Sequence, residues 1–547
     1  MLCDQFIQAN TGTYEDFSRS FKLTPPVNFN FGFDVVDAIA ASTPDALALL
    51  HIDREERERR FTFRDIRQQS NRIANFLKAA GIQKGDTVLL IMRRCHQYWP
   101  VNVALCKLGA VMVPATAQVL PKDIAYRCNA ASVKCIICAN DPHIIAAVEG
   151  ALPSCPTVQT LVLAGGQRAG WLDLDGMAEN QSPDFPRPKG PAGTCNGDPL
   201  LIYFTSGTTG FPKMAMHNQL YPLGHIATAR YWHTNQPGGL HFTISDTGWA
   251  KAGWGKIYGQ WLCECAVFAY DFDRFDAAKI LEKLETYRIS TFCAPPTMYR
   301  MLTQDNLAAR YDLSALTHCC SAGEPLNPER LQDWQRQTGH RIYEGFGQSE
   351  TTCCLATLPD MELRPGSMGR PMPGYKISLR NESGYPCKPG EHGEICIAAD
   401  REKPLGLFCG YFRDDVSTVR AWHDGYYHTG DIAYQDKSGY FWYVGRKDDV
   451  IKSSGYRIGP FEVESALLSH PAVSEAAITG VPDPIRGQVV KATIVLKAGY
   501  QASDALKRQL QDHVKQVTAP YKYPRVIEFT QELPKTASGK IRRVALR

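Results

Sequence analysis

The segment LLIYFTSGTTGFPK, residues 200–213, joins an apolar run to a loop of Gly, Ser and Thr that ends in a lysine. The apolar run predicts a buried strand. The backbone N–H groups and hydroxyls of such a loop can surround phosphate oxygens, and Lys213 can supply the opposing charge. It is not a Walker A motif, because Phe211 and Pro212 separate the last glycine from the lysine. The alternative is an ordinary surface turn, and other parts of the sequence are needed to choose.

Strand-like runs alternate with helical stretches on both sides of this segment, from about residue 35 to residue 345. This alternation predicts an α/β fold with parallel sheets covered by helices. Residues 365–445 differ, because Gly and Pro are dense and short alternating runs such as GEICIA (393–398) and GYFWYVG (439–445) occur. That region predicts antiparallel strands or a small barrel-like unit.

The last hundred residues predict a small α+β unit. PFEVESALLSH (460–470) and SDALKRQLQDHVKQV (503–517) have helical patterns, the second with Ser503 as N-cap and an apolar face that ends at Val517. The segments 473–481 and 489–496 are strand-like. We therefore expect a large N-terminal domain over residues 1–447 and a small C-terminal domain over residues 448–547.

Composition restricts the class of protein. The chain has 547 residues and a formal net charge of +4, which is too small to indicate nucleic-acid binding. Its 18 Cys are scattered through apolar runs, which favours buried, reduced thiols; a zinc site from Cys135 and Cys138 lacks a second ligand pair.

The longest apolar stretch (99–120) is interrupted by Lys107 and two prolines, so no membrane span is expected. The N-terminus has neither a signal-peptide nor a transit-peptide pattern, which predicts a cytoplasmic protein.

Four further segments carry residue types suited to a nucleotide: EGFGQSET (344–351), YHTGD (427–431), YVGRKDD (443–449) and PKTASGK (534–540). Phe346 can stack on a purine, and Glu350 can hold Mg²⁺ beside a triphosphate. Asp431 can accept hydrogen bonds from ribose hydroxyls. Arg446 and Lys540 add positive charge. Taken singly, each has a structural alternative, such as a helix cap, a turn, a surface ion pair or a solvated tail.

Together, and in this order, these segments resemble the adenylate-forming superfamily, which includes acyl-CoA synthetases, non-ribosomal peptide adenylation domains and firefly luciferase. The resemblance covers nearly the whole chain and includes SAGEPLNP (321–328), GRKDDVIKSSGYRIGPFEVE (445–464) and LPKTASGKIRR (533–543). Within the superfamily the chain is most similar to medium-chain acyl-CoA synthetases. This implies a reaction in which a carboxylic acid and ATP give acyl-AMP and pyrophosphate, and CoA then gives acyl-CoA and AMP.

The resemblance also implies roles for individual residues. The β- and γ-phosphates would be held by Thr205, Ser206, Gly207, Thr208, Thr209, Gly210 and Lys213. The remaining ATP or AMP contacts would come from Gly323, Glu324, Pro325, Phe346, Gly347, Gln348, Ser349, Asp431, Arg446 and Arg457. Glu350 would bind Mg²⁺, and Lys540 would contact the α-phosphate and the acyl carboxylate as a catalytic residue with Glu350 and Lys213.

Lys540 would obstruct CoA in the second step. Enzymes of the superfamily avoid this by rotating the small domain about a hinge. We expect that hinge at Asp448. The rotation would bring Lys452, Gly455 and Tyr456 to the site, and Arg486 would face CoA. Acetylation of Lys540 by a lysine acetyltransferase, a control known in relatives, would remove the charge needed for step one.

The acyl pocket is expected along GWAKAGWGKIYGQW, residues 248–261, which has a helical pattern with Ala250, Trp254, Ile257 and Trp261 on one face. Trp249, Trp254 and Gly259 would line the pocket, and His217 would lie near the carboxylate. Tryptophans that narrow the pocket would favour short-to-medium-chain or branched acids. Plain core packing is the alternative for this segment.

Other enzymes of the superfamily remain open on the sequence alone. The chain could load a carrier-protein thiol, act on aromatic acids as a CoA ligase, or be a luciferase-like monooxygenase. A non-catalytic protein with the same fold is disfavoured, because the phosphate loop, Glu350, Asp431 and Lys540 are all intact. The expected co-substrates are ATP and CoA, with Mg²⁺ as the metal.

Overall fold

The computed structural model describes residues 1–9, 13–205, 212–324, 328–453, 456–535 and 541–547, without the side chains of residues 328–330 and of Arg457. The α-helices are α1 Tyr14–Ser20, α2 Ala38–Ser42, α3 Phe63–Ala79, α4 Tyr98–Leu108, α5 Pro121–Ala131, α6 Pro142–Ala151, α7 Leu174–Glu179, α8 Tyr221–Ala227, α9 Ala250–Gly255, α10 Tyr258–Leu262, α11 Ala277–Thr286, α12 Pro296–Thr303, α13 Pro328–Thr338, α14 Asp415–Ala421, α15 Pro460–Leu468 and α16 Asp504–Val517.

The strands fall into two large sheets, one small sheet and one two-stranded ribbon. They are β1 Ile7–Gln8, β2 Lys22–Leu23, β3 Leu47–Ile52, β4 Glu58–Thr62, β5 Thr87–Ile91, β6 Val111–Pro114, β7 Cys135–Ala139, β8 Thr160–Ala164, β9 Leu172–Asp173, β10 Pro199–Thr205, β11 Lys213–Asn218, β12 Leu240–Thr243, β13 Ala266–Tyr270, β14 Thr291–Cys293, β15 His318–Ala322, β16 Ile342–Phe346, β17 Leu355–Ala356, β18 Ser367–Pro371, β19 Ile377–Arg380, β20 His392–Ala398, β21 Trp422–His423, β22 Tyr426–Gln435, β23 Phe441–Arg446, β24 Ile451–Ser453, β25 Tyr456–Ile458, β26 Val473–Asp483, β27 Gly487–Leu496 and β28 Val526–Thr530.

The first large sheet has the strand order β11-β10-β6-β5-β7-β8-β9. Its strands run parallel except β11, which is antiparallel to β10. The second has the order β19-β20-β22-β23-β18-β17-β16-β15-β14-β12-β13-β3-β4, with β21 beside β22. It is parallel from β16 to β3. These sheets confirm the α/β class predicted from the alternating pattern.

The region predicted as antiparallel or barrel-like extends the second sheet. Strand β17 is antiparallel to β16, and β18, β23, β22, β20 and β19 continue the sheet with antiparallel pairings. This continuity brings β22 and β23 onto the same sheet as the parallel strand β16. Residues after β16 and residues on β22 can therefore contact each other.

Helices between the two large sheets form the main core. Side chains of α3, α4, α8 and α10 pack in one cluster with inward-facing residues of strands from both sheets. Every residue of α4 is buried, as expected for a helix with sheets on two sides. Further clusters cover the outer faces, with α5 and α6 on the first sheet and α11, α12 and α13 on the second.

The carboxyl ends of three neighbouring parallel strands, β14, β15 and β16, meet at one edge of the second sheet. Gly323 directly follows β15, and Gly347 directly follows β16. Ligands of open α/β sheets bind at this kind of edge. The fold thus places two of the sequence motifs side by side.

The C-terminal region forms its own small sheet, β25-β24-β27-β26 with β28 beside β27. Helices α15 and α16 pack on it around a separate apolar cluster. The predicted cap is present, because the Ser503 hydroxyl accepts a hydrogen bond from the Leu506 N–H at 3.1 Å. Val517 is 52% exposed, so the predicted apolar face is wrong at its last position, where α16 ends.

Within the described parts of the chain, none of the helices combines the length and the apolar character that crossing a membrane requires.

Candidate functional site

The proposed phosphate loop lies between two antiparallel strands. Thr205 at the end of β10 is paired with Lys213 at the start of β11, and the intervening Ser206, Gly207, Thr208, Thr209 and Gly210 lie outside the described residues. The Lys213 Nζ lies 4.9 Å from the centroid of the Tyr411 ring. Tyr411 is brought there because its segment runs along β11, where the Phe412 N–H donates to the Met214 carbonyl at 2.8 Å.

Glu350 is a buried carboxylate, 8% exposed, and Tyr411 binds it directly. The Tyr411 hydroxyl donates to Glu350 Oε1 at 3.0 Å, and the Phe408 N–H donates to the Glu350 carbonyl at 2.8 Å. Burial raises the pKa of Glu350, while the Tyr411 hydrogen bond and the charge of Arg446 act in the opposite direction. A cation at this carboxylate would therefore be favoured.

Asp431 and Arg446 are cross-strand partners on β22 and β23. An Arg446 guanidinium nitrogen lies 3.2 Å from Asp431 Oδ2, and the same guanidinium donates to the Thr429 carbonyl at 3.1 Å. The Tyr443 hydroxyl donates to Asp431 Oδ1 at 3.2 Å. The negative charge of Asp431 is the largest cause of the raised pKa of Arg446.

Gln348, two residues before Glu350, is hydrogen-bonded to Asp431 and its neighbours. Its Nε2 donates to Asp431 Oδ2 at 2.5 Å and to the Thr429 carbonyl at 2.9 Å, and its Oε1 accepts from the Tyr427 hydroxyl at 2.7 Å. An ionised carboxylate has about four acceptor positions. Three donors already reach Asp431, so binding both hydroxyls of a ribose requires at least one of them to move.

His217 on β11 is buried and contacts the loop that carries Glu350. Its Nε2–H donates to the Ser349 carbonyl at 2.8 Å, and its ring lies 4.0 Å from that of Tyr221. Burial lowers the pKa of His217 to about 3, so the imidazole is neutral near pH 7. His217 therefore supports Ser349 in this structure, and its expected approach to a substrate carboxylate stays a prediction.

The residues expected around adenine lie at the ends of β15 and β16. The rings of Phe346 and Tyr443 are 6.4 Å apart and inclined by 37°. Glu324 Oε2 accepts a hydrogen bond from the Thr297 hydroxyl at 2.8 Å. Gly323 has φ of +104°, a conformation that disfavours a side chain. Pro325 lies outside the described residues.

The segment expected to form one helix along the acyl pocket forms two. Helix α9 ends at Gly255 and α10 starts at Tyr258, with Ile257 between them at φ −160° and ψ −70°. The predicted continuous face is therefore wrong. Gly255 at the end of α9 and the β-branched Ile257 in the break both have lower helix propensity than alanine.

The Trp254 side chain on α9 packs against Gly347, in the loop that follows β16. It is 6% exposed, and a Cβ at Gly347 would come within 2.5 Å of its indole ring. Its ring lies 6.3 Å from that of Trp232, and its buried indole N–H has no hydrogen-bond partner among the described residues. Trp249, half-buried, immediately precedes α9.

Gly259 lies at a helix–helix contact. A Cβ at this position would come within 2.5 Å of Ala229 Cβ and 2.6 Å of the His225 carbonyl oxygen. The missing side chain thus allows α10 to approach α8 closely. The structure gives Gly259 a packing role, and its expected place in the acyl pocket stays a prediction.

The residues expected to face CoA are dispersed over the small unit. The Lys452 Nζ lies 3.2 Å from Glu382 Oε1, and the Tyr456 ring stacks on the Tyr521 ring at 4.1 Å. The Arg486 N–H donates to Asp483 Oδ1 in a turn at 2.8 Å. Gly455 and Lys540 lie outside the described residues, as does the side chain of Arg457.

Three tyrosines that the sequence motifs did not single out organise the site: Tyr411, Tyr427 and Tyr443. Tyr427 and Tyr443 lie within the quoted segments YHTGD and YVGRKDD. Tyr427 is four residues before Asp431 on β22, and strand alternation places such residues on one face, so this signal could have identified Tyr427. Tyr443 is three residues from Arg446 on β23, a spacing that strand alternation assigns to opposite faces, so the pattern gave no signal for Tyr443. Tyr411 lies in no such pattern, because its position depends on the backbone contact with β11.

Known proteins are similar to this chain over nearly its whole length. The family model described as AMP-binding enzyme matches residues 36–412, and the model described as AMP-binding enzyme C-terminal domain matches residues 462–540. The mouse protein named acyl-coenzyme A synthetase ACSM3, mitochondrial, is 41% identical over 552 residues, covering 98% of this chain and 93% of its own. Human acyl-coenzyme A synthetase ACSM4, mitochondrial, is 43% identical over 547 residues, covering 98% and 93%.

Among solved structures, the anthranilate CoA ligase AuaEII in complex with anthranoyl-AMP is similar with a TM-score of 0.85 and 28% identity, covering 96% of this chain and 97% of that one.

Both curated relatives are named as mitochondrial proteins. This finding contradicts the cytoplasmic location expected from the N-terminal sequence. The prediction of a cytoplasmic protein from the N-terminal sequence is therefore wrong.

Proposed function

The chain belongs to the AMP-binding enzyme family and is an ATP-dependent acyl-CoA synthetase, and from this premise we propose that it activates short-to-medium-chain or branched fatty acids. In the first step a carboxylate oxygen attacks the α-phosphorus of ATP, the bond to the bridging oxygen breaks, and pyrophosphate leaves. In the second step the CoA thiolate attacks the acyl carbon, the acyl carbon–oxygen bond breaks, and AMP leaves.

One observation carries the assignment of the nucleotide site. The chain of contacts Lys213–Tyr411–Glu350 and the cluster Gln348–Asp431–Arg446 come from distant parts of the sequence, and they join through the consecutive residues 348–350. Such an array offers a cation for phosphates, a carboxylate for a metal and a carboxylate for ribose hydroxyls. The individual roles of these residues are part of the proposal.

Mg²⁺ fits the carboxylate of Glu350. Magnesium commonly takes one or two protein carboxylates and completes its coordination with substrate phosphates and water. Glu350 is buried, Tyr411 orients one of its oxygens, and its raised pKa marks a charge that needs compensation. When bound, Mg²⁺ would neutralise charge on the phosphates; Lys213 and Arg446 would add positive charge beside it.

The preference for small or branched acids rests on Trp254. Its ring lies against Gly347, so a large aromatic group stands where the loop after β16 meets the candidate acyl helix α9. Its buried indole N–H finds no hydrogen-bond partner in the described part of the chain, a feature expected of a side chain that borders a ligand pocket. Because the ring occupies volume there, long straight chains would fit less well than short or branched ones.

The test is a panel of carboxylic acids assayed with ATP, Mg²⁺ and CoA, with AMP, pyrophosphate and acyl-CoA measured with and without CoA. We expect acyl-CoA formation to peak at short-to-medium-chain or branched acids, and Trp254→Ala to shift the optimum to longer chains. An unchanged chain-length profile in Trp254→Ala would remove Trp254 from the pocket. Peak activity on benzoate or anthranilate would replace the proposal by an aromatic-acid CoA ligase. Pyrophosphate exchange without acyl-CoA would indicate a carrier-protein thiol as the acceptor.

The division at residues 447 and 448, with rotation about Asp448, is proposed together with this chemistry. Asp448 is exposed in a turn between β23 and β24, and its carbonyl accepts a hydrogen bond from Arg547 at 2.9 Å. Proline fixes φ and lacks the N–H, so Asp448→Pro would impede rotation. We expect this variant to keep acyl-AMP formation and lose thioester formation; normal overall turnover would reject the hinge.

Lys540 is proposed as the catalytic cation of the first step, held in the C-terminal unit. Lys540→Ala should lose acyl-AMP formation and still convert supplied acyl-AMP to acyl-CoA. Equal losses in both half-reactions would reject this role. Acetylation of Lys540 would remove the same charge, so an acetylated enzyme should reproduce the variant's defect.

A further inference from the structure

A cluster of side chains that can bind a metal lies on β20 and β22, near the proposed ribose site. These side chains have no role in the proposed reaction. Glu394, Cys396 and His428 each present one ligand atom, and these atoms all lie within 4.8 Å of one another. Cys396 is paired directly with His428 across the two strands. Glu394 is two positions from Cys396 on β20, so the two side chains point to the same face.

The His428 Nδ1 is the centre of the cluster. It lies 3.4 Å from Cys396 Sγ and 3.4 Å from Glu394 Oε2. Its Nε2 is buried and has no hydrogen-bond partner among the described residues. One thiol, one imidazole and one carboxylate form a mixed ligand set suited to zinc, whereas Mg²⁺ prefers oxygen ligands alone.

The carboxylate of Glu394 is already held in a fixed orientation. The Gly430 N–H donates to its Oε1 at 3.0 Å, and the Lys447 Nζ lies 3.0 Å from its Oε2. The ammonium of Lys447 therefore occupies the side of the carboxylate that faces His428. A divalent cation bound by the cluster would compete with Lys447 for this oxygen.

We propose that Glu394, Cys396 and His428 form a zinc-binding site in which the metal displaces Lys447 from Glu394. The Cys396 thiol loses its proton to solvent when the zinc–sulfur bond forms. Zn²⁺ accepts three protein ligands with water in a fourth position. The site is distinct from the Mg²⁺ carboxylate Glu350, and the proposal does not depend on which acid the enzyme activates.

The test is Zn²⁺ titration of the purified full chain against a chromogenic chelator, without nucleotide, in parallel with Co²⁺ absorption spectroscopy. We expect one zinc per chain and a sulfur-to-cobalt charge-transfer band in the near ultraviolet. Cys396→Ser should abolish that band and weaken zinc binding by about tenfold or more. Cys195→Ser is the control, since this exposed cysteine lies just before β10 of the other large sheet, and it should behave like the wild type.

Lys447→Ala tests whether Glu394 is a zinc ligand, and so distinguishes the proposed three-ligand site from a site formed by Cys396 and His428 alone. Because it removes the competing ammonium, it should tighten zinc binding. Unchanged zinc affinity in Lys447→Ala would overturn the part assigned to Glu394. Equal zinc binding by wild type and Cys396→Ser, or no sulfur band with Co²⁺, would overturn the site as a whole.

Discussion

Two buried lysines of this protein have opposite surroundings. The Lys107 Nζ contacts Asp37 at 2.7 Å, Asn71 at 2.6 Å and Ser70 at 3.2 Å, whereas the fully buried Lys256 Nζ has no hydrogen-bond partner among the described residues. Burial lowers the pKa of Lys256 to about 7. The buried amine of Lys107 is thus hydrogen-bonded, whereas that of Lys256 has only the longer-range attraction of Asp246 and Asp271 and the Phe242 ring at 5.8 Å.

Lys256→Met should therefore stabilise the protein at pH 7, by about 1–3 kcal/mol, because it replaces an unpartnered amine by an apolar side chain of similar volume. The unfolded chain has a lysine pKa of about 10.4, so between pH 7 and pH 10 it binds more protons than the folded chain, and wild-type stability rises with pH. The advantage of the variant should shrink over that range. Thermal denaturation from pH 7 to pH 10 measures both effects.

Lys107→Met is the matched control, and it should destabilise the protein by about 3 kcal/mol, because the half-buried Asp37 loses its nearest cation and keeps only Arg67 at 3.9 Å. A lower unfolding temperature for Lys256→Met than for the wild type at pH 7 would contradict the assignment of Lys256 as an unfavourable buried group.

At the scale of elements, the contact of α10 with α8 depends on the absence of a side chain at Gly259. Gly259→Ala should lower the free energy of unfolding by about 1–3 kcal/mol, because the added methyl meets Ala229 Cβ and the His225 carbonyl. Denaturant unfolding measures the change. Gly197→Ala serves as the control, since no atom lies within 4 Å of its added methyl, and its effect should stay within about 0.5 kcal/mol. Equal effects of the two substitutions would remove the packing role.

The same elements show how far the sequence could predict this protein. The alternating apolar runs and Ser503 predicted the sheets and the cap of α16, because these depend on local patterns. The pairing of Asp431 with Arg446 depends on the register of β22 against β23, which single-strand patterns do not specify. The break at Ile257 was also missed, because a periodic apolar face can continue through a change of backbone direction.

At the scale of the whole molecule, an ion-pair group connects the small unit to the large one. Glu475 on β26 lies 2.7 Å from Lys535 and 3.9 Å from Arg300 on α12. Lys535 also forms an isolated antiparallel bridge with Ile541. One turn from Arg300, Thr297 binds Glu324 beside the proposed adenine site. Under the proposed rotation, we expect this contact between the two units in the adenylation step.

Arg300→Ala and Glu475→Gln should each slow acyl-AMP formation by about two- to fivefold and leave the conversion of supplied acyl-AMP unchanged, since exposed ion pairs are worth about 0.2–1 kcal/mol. Half-reaction assays on the two variants and the double variant measure the coupling. Asp512→Asn, which removes an ion pair within α16, is the control and should change neither step. Equal slowing of both half-reactions would contradict a role confined to adenylation.

All eighteen cysteines lie in the described ranges, and they differ in access: fourteen are buried, Cys95, Cys387 and Cys409 are half-buried, and Cys195 alone is exposed. A maleimide dye added to the native enzyme should therefore attach to Cys195 first. A second cysteine introduced on the outer face of α16 would accept an acceptor dye. Single-molecule energy transfer between these two positions would then follow the small unit through each catalytic cycle, without removing most of the native thiols.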